Sequence, residues 1–164
     1  MEHGATLSQC RRYRYDLWRI WGHGPVMNTI LLNPSKADED DNDPTVTRMV
    51  KRARQLNCGG LAMTNVFAWR ATEPKQLKSE WKCNAVDVIG ADNDAHILRR
   101  ARSSDLVVCG WGGNGKLFGR GATVEGMLRA AGIKLHAFRV TSGIPWHPLY
   151  LPYSTQPEEW SKFV

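Results

Sequence analysis

The chain has 164 residues, 42% of them hydrophobic and 23% charged, which fits one folded domain and excludes a disordered or fibrous protein. Lys and Arg (22) outnumber Asp and Glu (16), so the net charge is +6, an excess compatible with a polyanionic partner such as DNA. No apolar run approaches the roughly 20 residues of a membrane span, and the start, MEHGATLSQCRRYRY, has no signal-peptide pattern, so we expect a cytoplasmic protein without a membrane partner.

The first third of the chain predicts two strands and a helix. Residues 13–22 and 26–33 are rich in aromatic and aliphatic side chains, and the Gly-His-Gly-Pro between them predicts a hairpin. We expect residues 1–12 to form a poorly ordered arm. Asp43 and Pro44 predict the start of a helix, because Asp caps free N–H groups and Pro fits the first turn. The apolar face of this helix would carry Val46, Met49, Val50, Ala53 and Leu56, and the polar face Arg48, Lys51, Arg52 and Arg54.

The remaining chain alternates between strands and helices. Strands are predicted at 61–69, 105–112 and 134–140, and helices at 93–104 and 123–132. Because such alternation favours a parallel sheet covered on both faces, we predict one α/β domain over residues 1–164, a three-layer αβα sandwich with a central, mostly parallel sheet. Ligands of such folds bind at the carboxyl ends of the strands. Asn33, Asn65, the loop at 110–115 and His147 all follow apolar strands, so we expect them to meet at one edge of the sheet.

The spacing of cysteines and glycines excludes two common kinds of site. No two of the four cysteines form a C-x-x-C pair, so we expect reduced thiols, no metal and no other cofactor. These cysteines are Cys10, Cys58, Cys83 and Cys109. The glycine-rich loop at 110–121 lacks the G-x-x-x-x-G-K-[ST] pattern of an ATP site, because Leu117 follows the lysine. Its backbone amides, with Lys116 or Arg120, are instead candidates to hold DNA phosphates.

Four motifs, taken in chain order, resemble the signature loops of the uracil-DNA-glycosylase superfamily: LLNPS at 31–35, MTNVFAWR at 63–70, VVCGWGGNG at 107–115 and GIPWHPLYL at 143–151. The resemblance implies a uracil-DNA-glycosylase-like fold in which Asn33 positions the attacking water, Asn65 contacts the extruded pyrimidine and His147 stabilises the departing base. The chain departs from the pattern at Ser35, where Gly is usual, and at Leu149, where Ser is usual. It also lacks the cysteine set that holds an iron–sulfur cluster in one branch.

Over roughly residues 13–152 the chain also resembles a bacterial and phage-associated family of unknown function, which shares N-P-S, T-N-x-F-A-x-R, N-D-A-H and H-P-L-Y-L-P motifs. This second resemblance implies a role in phage defence, as a glycosylase of hypermodified cytosine such as glucosylated hydroxymethylcytosine. The motifs do not name the base.

Hydrolysis of an N-glycosidic bond needs a held water and a donor to the base, because positive charge builds on the sugar and negative charge on the base. Asn33 and His147 suit these tasks, and Asp38 or Asp41 is predicted to supply a carboxylate that polarises the water or steadies the sugar. The predicted contacts to the base are Pro34, Ser35, Asn65, Phe67 and Trp69. The predicted contacts to DNA are Lys36, Arg70, Gly113, Asn114, Lys116, Arg120, Trp146 and Leu149, with further phosphate contacts from the arginine-rich helix faces.

Several of these residues also have purely structural interpretations. Residues 38–43 fit a solvated acidic loop with Asp43 as helix cap, and Phe67 and Trp69 fit the core. Our leading hypothesis is a monomeric, monofunctional DNA glycosylase that removes a modified or damaged pyrimidine and leaves an abasic site. Because no lysine stands at a motif position, water is the expected nucleophile. The alternatives are a non-catalytic nucleic-acid-binding or base-sensing module and a hydrolase of free modified nucleosides or nucleotides.

Overall fold

The structure is a computed structural model that describes residues 1–82 and 87–161. Cys83 lies outside the described residues. Seven strands form the central sheet: β1 (Glu2–Leu7), β2 (Arg14–Ile20), β3 (Val26–Leu31), β4 (Gly60–Asn65), β5 (Leu106–Cys109), β6 (Leu135–Ala137) and β9 (Glu158–Glu159). β7 (Val140–Thr141) and β8 (Ile144–Pro145) form a separate two-stranded ribbon. The helices are α1 (Pro44–Gln55), α2 (Pro74–Lys82), α3 (Asn93–Arg102) and α4 (Arg120–Ala130).

The sheet has the strand order β1-β2-β4-β3-β5-β6-β9. Its four inner strands β4, β3, β5 and β6 run parallel, and the outer strands pair antiparallel with their neighbours. Helix α1 packs on one face, where Val46, Met49 and Ala53 join a cluster with Leu61 and Met63. The helices α2, α3 and α4 pack on the opposite face. The predicted three-layer α/β sandwich with a mostly parallel sheet is confirmed.

Two expectations for the N-terminal region are corrected. Residues Glu2–Leu7 are not a poorly ordered arm but a strand that pairs antiparallel with β2. The strands β2 and β3 do not form a hairpin, because β4 lies between them and pairs with both. Every residue of β4 is buried, and such an apolar strand gains more by pairing on both edges than it would at the edge of the sheet.

Helix α1 begins as predicted. The Asp43 carboxylate accepts from the N–H of Val46 (2.9 Å), and Pro44 occupies the first turn. On the predicted polar face, however, Arg52 is only 2% exposed. Helix α2 lies in a segment without a predicted element. Its signal was Gln76, whose side-chain oxygen accepts from the N–H groups of Thr72 and Glu73 and so caps the start of the helix.

Candidate active site at the carboxyl edge of the sheet

A cavity of about 670 Å³ lies beyond the carboxyl ends of β3 and β5. These strands are neighbours in the sheet, but the chain leaves β3 toward α1 on one face and leaves β5 toward α4 on the other. The connections therefore diverge and open a crevice between them, which is where open α/β sheets bind ligands. The volume falls within the range of about 300–1,000 Å³ that is typical of small-molecule sites.

Asn33 lines this cavity, two residues beyond the end of β3. Its Nδ2 donates to the carbonyl of Ala71 (2.7 Å) and to that of Pro34 (3.1 Å). These bonds fix the orientation of the amide, because only the nitrogen can donate. Among residues 1–82 and 87–161, no donor binds Oδ1, so this oxygen is left to accept from a water or a ligand.

His147 lines the same cavity from the loop after β8. Burial lowers the pKa of its imidazole to about 4, so the ring is neutral near pH 7. The N–H of Leu149 donates to Nδ1 (3.2 Å), which places the single ring proton on Nε2. A histidine with its usual pKa near 6.5 can be neutral or protonated near pH 7, and burial favours the neutral donor here. No acceptor in the described part of the chain takes the Nε2 proton.

The glycine-rich loop forms another wall. Gly113, Asn114 and Lys116 line the cavity, as the sequence predicted. Arg120 does not, because its guanidinium is only 4% exposed and donates to the carbonyl of Val66 and to the carboxylate of Asp94. Arg120 therefore links α4 to the sheet and to α3, and the expected phosphate contact is corrected.

The rim of the cavity is aromatic. Trp146 is 37% exposed and Tyr150 is 79% exposed, and both line the opening together with Leu149. Trp111 closes the inner end at 4% exposure. Sequence reasoning missed Tyr150, Trp111 and Thr72 as cavity residues. Tyr150 and Trp111 had readable signals, because Tyr150 follows His147 within one motif and Trp111 lies in the loop at 110–115 expected at this edge, whereas Thr72 carried none.

Asn65 lies outside the cavity, contrary to the expectation that it would join Asn33 and His147. It still pairs with Leu31 within the sheet and is 2% exposed. Its side-chain oxygen accepts from Nη2 of the buried Arg14 (3.2 Å). The side chain is therefore committed to holding β2 against β4, and no direct contact to a base is available to it in this arrangement.

The two aromatic residues after β4 also lie outside the cavity. Phe67 is fully buried in the core cluster beneath the helices α2, α3 and α4, so it cannot stack on a ligand. Trp69 is partly buried, packs edge-on against Tyr13 and lines a neighbouring surface cleft. The interpretation of Phe67 as a core residue is correct. Trp69 packs partly against the core and also lines the cleft.

The acidic loop does not reach the cavity. The carboxylate of Asp38 accepts from the N–H groups of Asp40 and Asp41, and these bonds lower its pKa. Asp41 is exposed, and the guanidinium of Arg19 binds the backbone carbonyls of both Asp38 and Asp41. Asp38 and Asp41 were predicted to be catalytic carboxylates, and this prediction is corrected: they belong to a structured loop outside the cavity. None of the described residues that line the cavity is Asp or Glu.

Two arginines of α1 hold the loop that carries His147. The buried Arg52 donates through Nη2 to the carbonyls of Pro148 (3.2 Å) and Leu151 (2.7 Å). Arg48 donates to the same two carbonyls at 3.4 Å and 2.5 Å. Their guanidinium groups are therefore used within the protein, which corrects the idea that this helix face binds phosphates.

The remaining predicted residues lie beside the cavity. Ser35 lines both the cavity and the neighbouring cleft, while Lys36 and Arg70 line only that cleft. Pro34 is buried, and its carbonyl accepts from Asn33 and Ala71, so it shapes the loop.

Among the described residues, no group of three or more His, Cys, Asp or Glu side chains is arranged to bind a metal. In the same part of the chain, no helix is both long and apolar enough to cross a membrane.

Comparison with known proteins gives a family but no activity. A family model described as "Protein of unknown function (DUF1643)" matches residues 14–149, which is most of the chain. Searches of curated proteins and of solved structures found no significant match.

Proposed function

We propose, from the premise that the chain belongs to the DUF1643 family, that it is a monofunctional DNA glycosylase of a modified or damaged pyrimidine. One observation carries this proposal. Asn33 and His147, distant in the sequence, line one cavity and offer complementary groups: an amide oxygen that accepts and an imidazole N–H that donates. The ordered likeness of their motifs to uracil-DNA-glycosylase loops supports the same assignment.

The two residues suit opposite sides of one reaction. The bond between C1′ of the sugar and N1 of the base breaks, and its electron pair leaves with the base. The Nε2–H of His147 donates to a carbonyl oxygen of the base as negative charge develops there. A water held by Oδ1 of Asn33 adds to C1′, and its proton passes to the base. A fixed donor of this type contributes about 10²–10³ in rate.

A neutral imidazole is adequate for this task. The hydrogen bond to the base strengthens as charge accumulates in the transition state, so the donor favours the transition state over the bound substrate. Because no carboxylate lines the cavity among the described residues, the developing positive charge on the sugar is left to the departing base and to the phosphates of the DNA itself.

Water is the proposed nucleophile even though Lys116 lines the cavity. A lysine nucleophile would form a covalent imine with the sugar, which sodium borohydride reduces to a stable cross-link. We expect no borohydride-dependent cross-link between the protein and DNA, and formation of one would overturn the monofunctional assignment.

The size of the cavity supports a modified base. An unmodified pyrimidine fills only part of about 670 Å³, so a bulky substituent such as the sugar of glucosylated hydroxymethylcytosine can be accommodated. Ser35, Thr72 and Ser142 supply hydroxyl groups to the lining. The resemblance of the N-P-S and H-P-L-Y-L-P motifs to the phage-associated family adds a role in defence against phages with hypermodified DNA to the proposal.

A second candidate is a base-sensing module that binds an extruded base without releasing it. The lack of a lining carboxylate among the described residues favours it. This module would bind modified DNA tightly, would release no base, and would keep its affinity after Asn33→Ala.

The test is mass spectrometry of bases released from phage genomes with natural cytosine modifications, compared with plain DNA and with DNA that contains damaged pyrimidines. The proposal predicts one released base and alkali-labile abasic sites in equal amounts. Folded protein that releases no base from any of these substrates would rule out the glycosylase.

A further inference from the structure

A second, shallower cleft adjoins the cavity and shares part of its wall. Ser35, Ala71 and Thr72 line both, so the two depressions form one continuous surface. The cleft has a volume of about 530 Å³ and is also lined by Arg12, Lys36, Trp69 and Arg70. We call it the cationic cleft.

The cationic cleft carries positive charge that the protein itself does not neutralise. Within the described residues, no carboxylate lies within 4.0 Å of the cationic groups of Arg12, Lys36 or Arg70. The fourth cation, Arg11, differs because Glu39 pairs with it through two hydrogen bonds of 2.8 and 2.9 Å. In the described part of the chain, the charges of Arg12, Lys36 and Arg70 therefore lack a carboxylate partner, and this local excess of positive charge favours an anionic ligand.

Arg70 also organises the backbone beside the cavity. Its guanidinium donates to the carbonyls of Ser35 (3.1 Å), Lys36 (3.0 Å) and Arg11 (3.2 Å). The carbonyls of Ser35 and Lys36 are thereby satisfied, whereas no acceptor among the described residues takes their N–H groups. Backbone N–H groups are common ligands of DNA phosphates.

Trp69 adds a flat apolar surface to the same cleft. The guanidinium of Arg12 lies 5.8 Å from the centre of the indole ring. Cationic side chains interleaved with an aromatic ring are the arrangement by which proteins follow a single nucleic-acid strand, since the cations bind phosphates and the ring stacks on a base.

We propose that the cationic cleft binds the phosphates next to the nucleotide that occupies the cavity, so that the protein acts on a polymer rather than on free nucleosides. This inference rests on the proposed function, because it assumes a nucleotide in the cavity. Because Ser35 and Thr72 line both depressions, the DNA strand can run from the reacting sugar in the cavity into the cationic cleft.

The test measures binding of a fluorescein-labelled single-stranded oligonucleotide by fluorescence anisotropy between about 50 and 200 mM salt. Lys36→Ala is the main variant, because this exposed side chain makes no hydrogen bond or ion pair within the described residues. For single strands, each lost phosphate contact reduces the slope of log K against log salt by about 0.7, which corresponds to about fivefold weaker binding at 0.1 M. The double variant with Arg12→Ala should bind about 25-fold more weakly.

Lys134→Ala is the matched control. It removes the same charge from an exposed position just before β6, near the opposite edge of the sheet, although its ammonium lies 3.8 Å from the carboxylate of Glu159. The cleft is supported if Lys36→Ala lowers the slope and Lys134→Ala does not. It is overturned if both variants lower the slope equally or neither does, or if the protein cleaves free nucleosides without binding the oligonucleotide.

The two proposals fail separately. If the slopes change as expected but no base is released from any DNA, the cationic cleft stands and the glycosylase falls. If a base is released but Lys36→Ala and its double variant bind like the unaltered protein, the glycosylase stands and the cationic cleft falls. A thermal unfolding curve for each variant shows whether a loss of binding reflects a loss of fold.

Discussion

His147 is held as a neutral imidazole, and this state determines how the protein responds to acid. Its pKa is lowered by burial to about 4, whereas an exposed histidine titrates near 6.5. Protonation would put a second proton on Nδ1, where the N–H of Leu149 already donates. Two donors would then face each other, so acid is expected to release the loop that carries His147.

The expected result is a loss of stability between pH 6.5 and 4. In this window the unfolded chain binds a proton at His147 and the folded chain does not, so the free energy of unfolding falls as the pH is lowered. The difference amounts to about 3 kcal/mol by pH 4. Above pH 6.5 both states are neutral and the residue contributes no pH dependence.

Urea unfolding at several pH values measures this effect, with His147→Gln as the reference because glutamine does not titrate. The variant should lack about 3 kcal/mol of the pH dependence. Equal pH dependence in both proteins would show that the imidazole is not buried in its neutral form.

Asn33 and Asn65 show which side-chain directions can be predicted from the sequence and which cannot. Both follow apolar strands, and the sequence predicted that both would face one cavity. Asn33 lies beyond the last paired residue of β3, where its side chain is free to turn toward the crevice. Asn65 is still paired with Leu31 in the sheet, so the direction of its side chain is set by the strand and meets Arg14. The end of strand pairing, which decides the difference, cannot be read from the sequence.

At the scale of elements, the link between α1 and the loop of His147 yields a prediction. Arg52→Met should destabilise the protein by about 1–3 kcal/mol, because the carbonyls of Pro152 and Thr155 lose their arginine donor and those of Pro148 and Leu151 keep only Arg48 as an arginine donor. The rate of base release should fall as well, because the same carbonyls fix the loop that carries His147. Urea unfolding and single-turnover kinetics measure the two effects.

Arg54→Met is the control for this change. Arg54 lies on the same helix but is exposed, and its guanidinium rests over the ring of Trp21. Its removal should change stability by less than about 1 kcal/mol and leave base release intact. If Arg52→Met behaves like this control, the hydrogen bonds from Arg52 to the loop that carries His147 do not fix the position of His147.

The packing of the glycine-rich loop on Trp111 yields another prediction. A Cβ at Gly115 would lie 2.1 Å from Cδ1 of Trp111, which closes the inner end of the cavity. Gly115→Ala should therefore push the indole aside, destabilise the protein by about 1–3 kcal/mol and reduce base release. Gly126→Ala is the control, because its Cβ would meet open space within α4.

Urea unfolding of the two alanine variants gives the comparison. Gly126→Ala should be neutral or stabilising by up to about 1 kcal/mol, since alanine is the better helix former. Equal effects of the two substitutions would mean that Trp111 can move without cost and does not set the shape of the cavity.

Elements with strong local signals were predictable, and the others were not. The start of α1 was readable because Asp43 and Pro44 act within a single turn. Helix α2 was missed because its cap comes from Gln76, which reaches back from inside the helix. The depth of Arg52 could not be foreseen, because burial of a guanidinium depends on carbonyls of a loop about a hundred residues away.

At the scale of the whole molecule, strand order determines where chemistry can occur. Alternation of strands and helices predicts a covered parallel sheet, but it does not give the order of the strands. The observed order puts β4 between β2 and β3 and makes β3 and β5 neighbours. Only this arrangement brings Asn33 and the glycine-rich loop to one crevice. It depends on pairing between strands that are distant in the sequence, and no local sequence pattern indicates such pairing.

The distribution of charge across the molecule also follows from the fold. The acidic residues 38–41 bind Arg11 and Arg19, and α1 uses Arg48 and Arg52 to hold a loop. The net charge of +6 is therefore not spread evenly over the surface. Among the described residues, Arg12, Lys36 and Arg70 beside the cavity have no carboxylate partner, which is why the cationic cleft, and not a helix face, is the surface proposed for DNA.

We propose that Asn33 and His147 act together on one bound nucleotide. The most direct measurement is single-turnover release of a modified pyrimidine base from DNA by the unaltered protein, by Asn33→Ala and by His147→Gln. We expect release by the unaltered protein and a rate lower by about 10²–10³ in His147→Gln, which loses the imidazole donor to the base. Asn33→Ala should also be slower, because it loses the acceptor that holds the water, and both variants should stay folded and bind DNA with nearly unchanged affinity. Release at the full rate by either folded variant would show that the two residues do not act together.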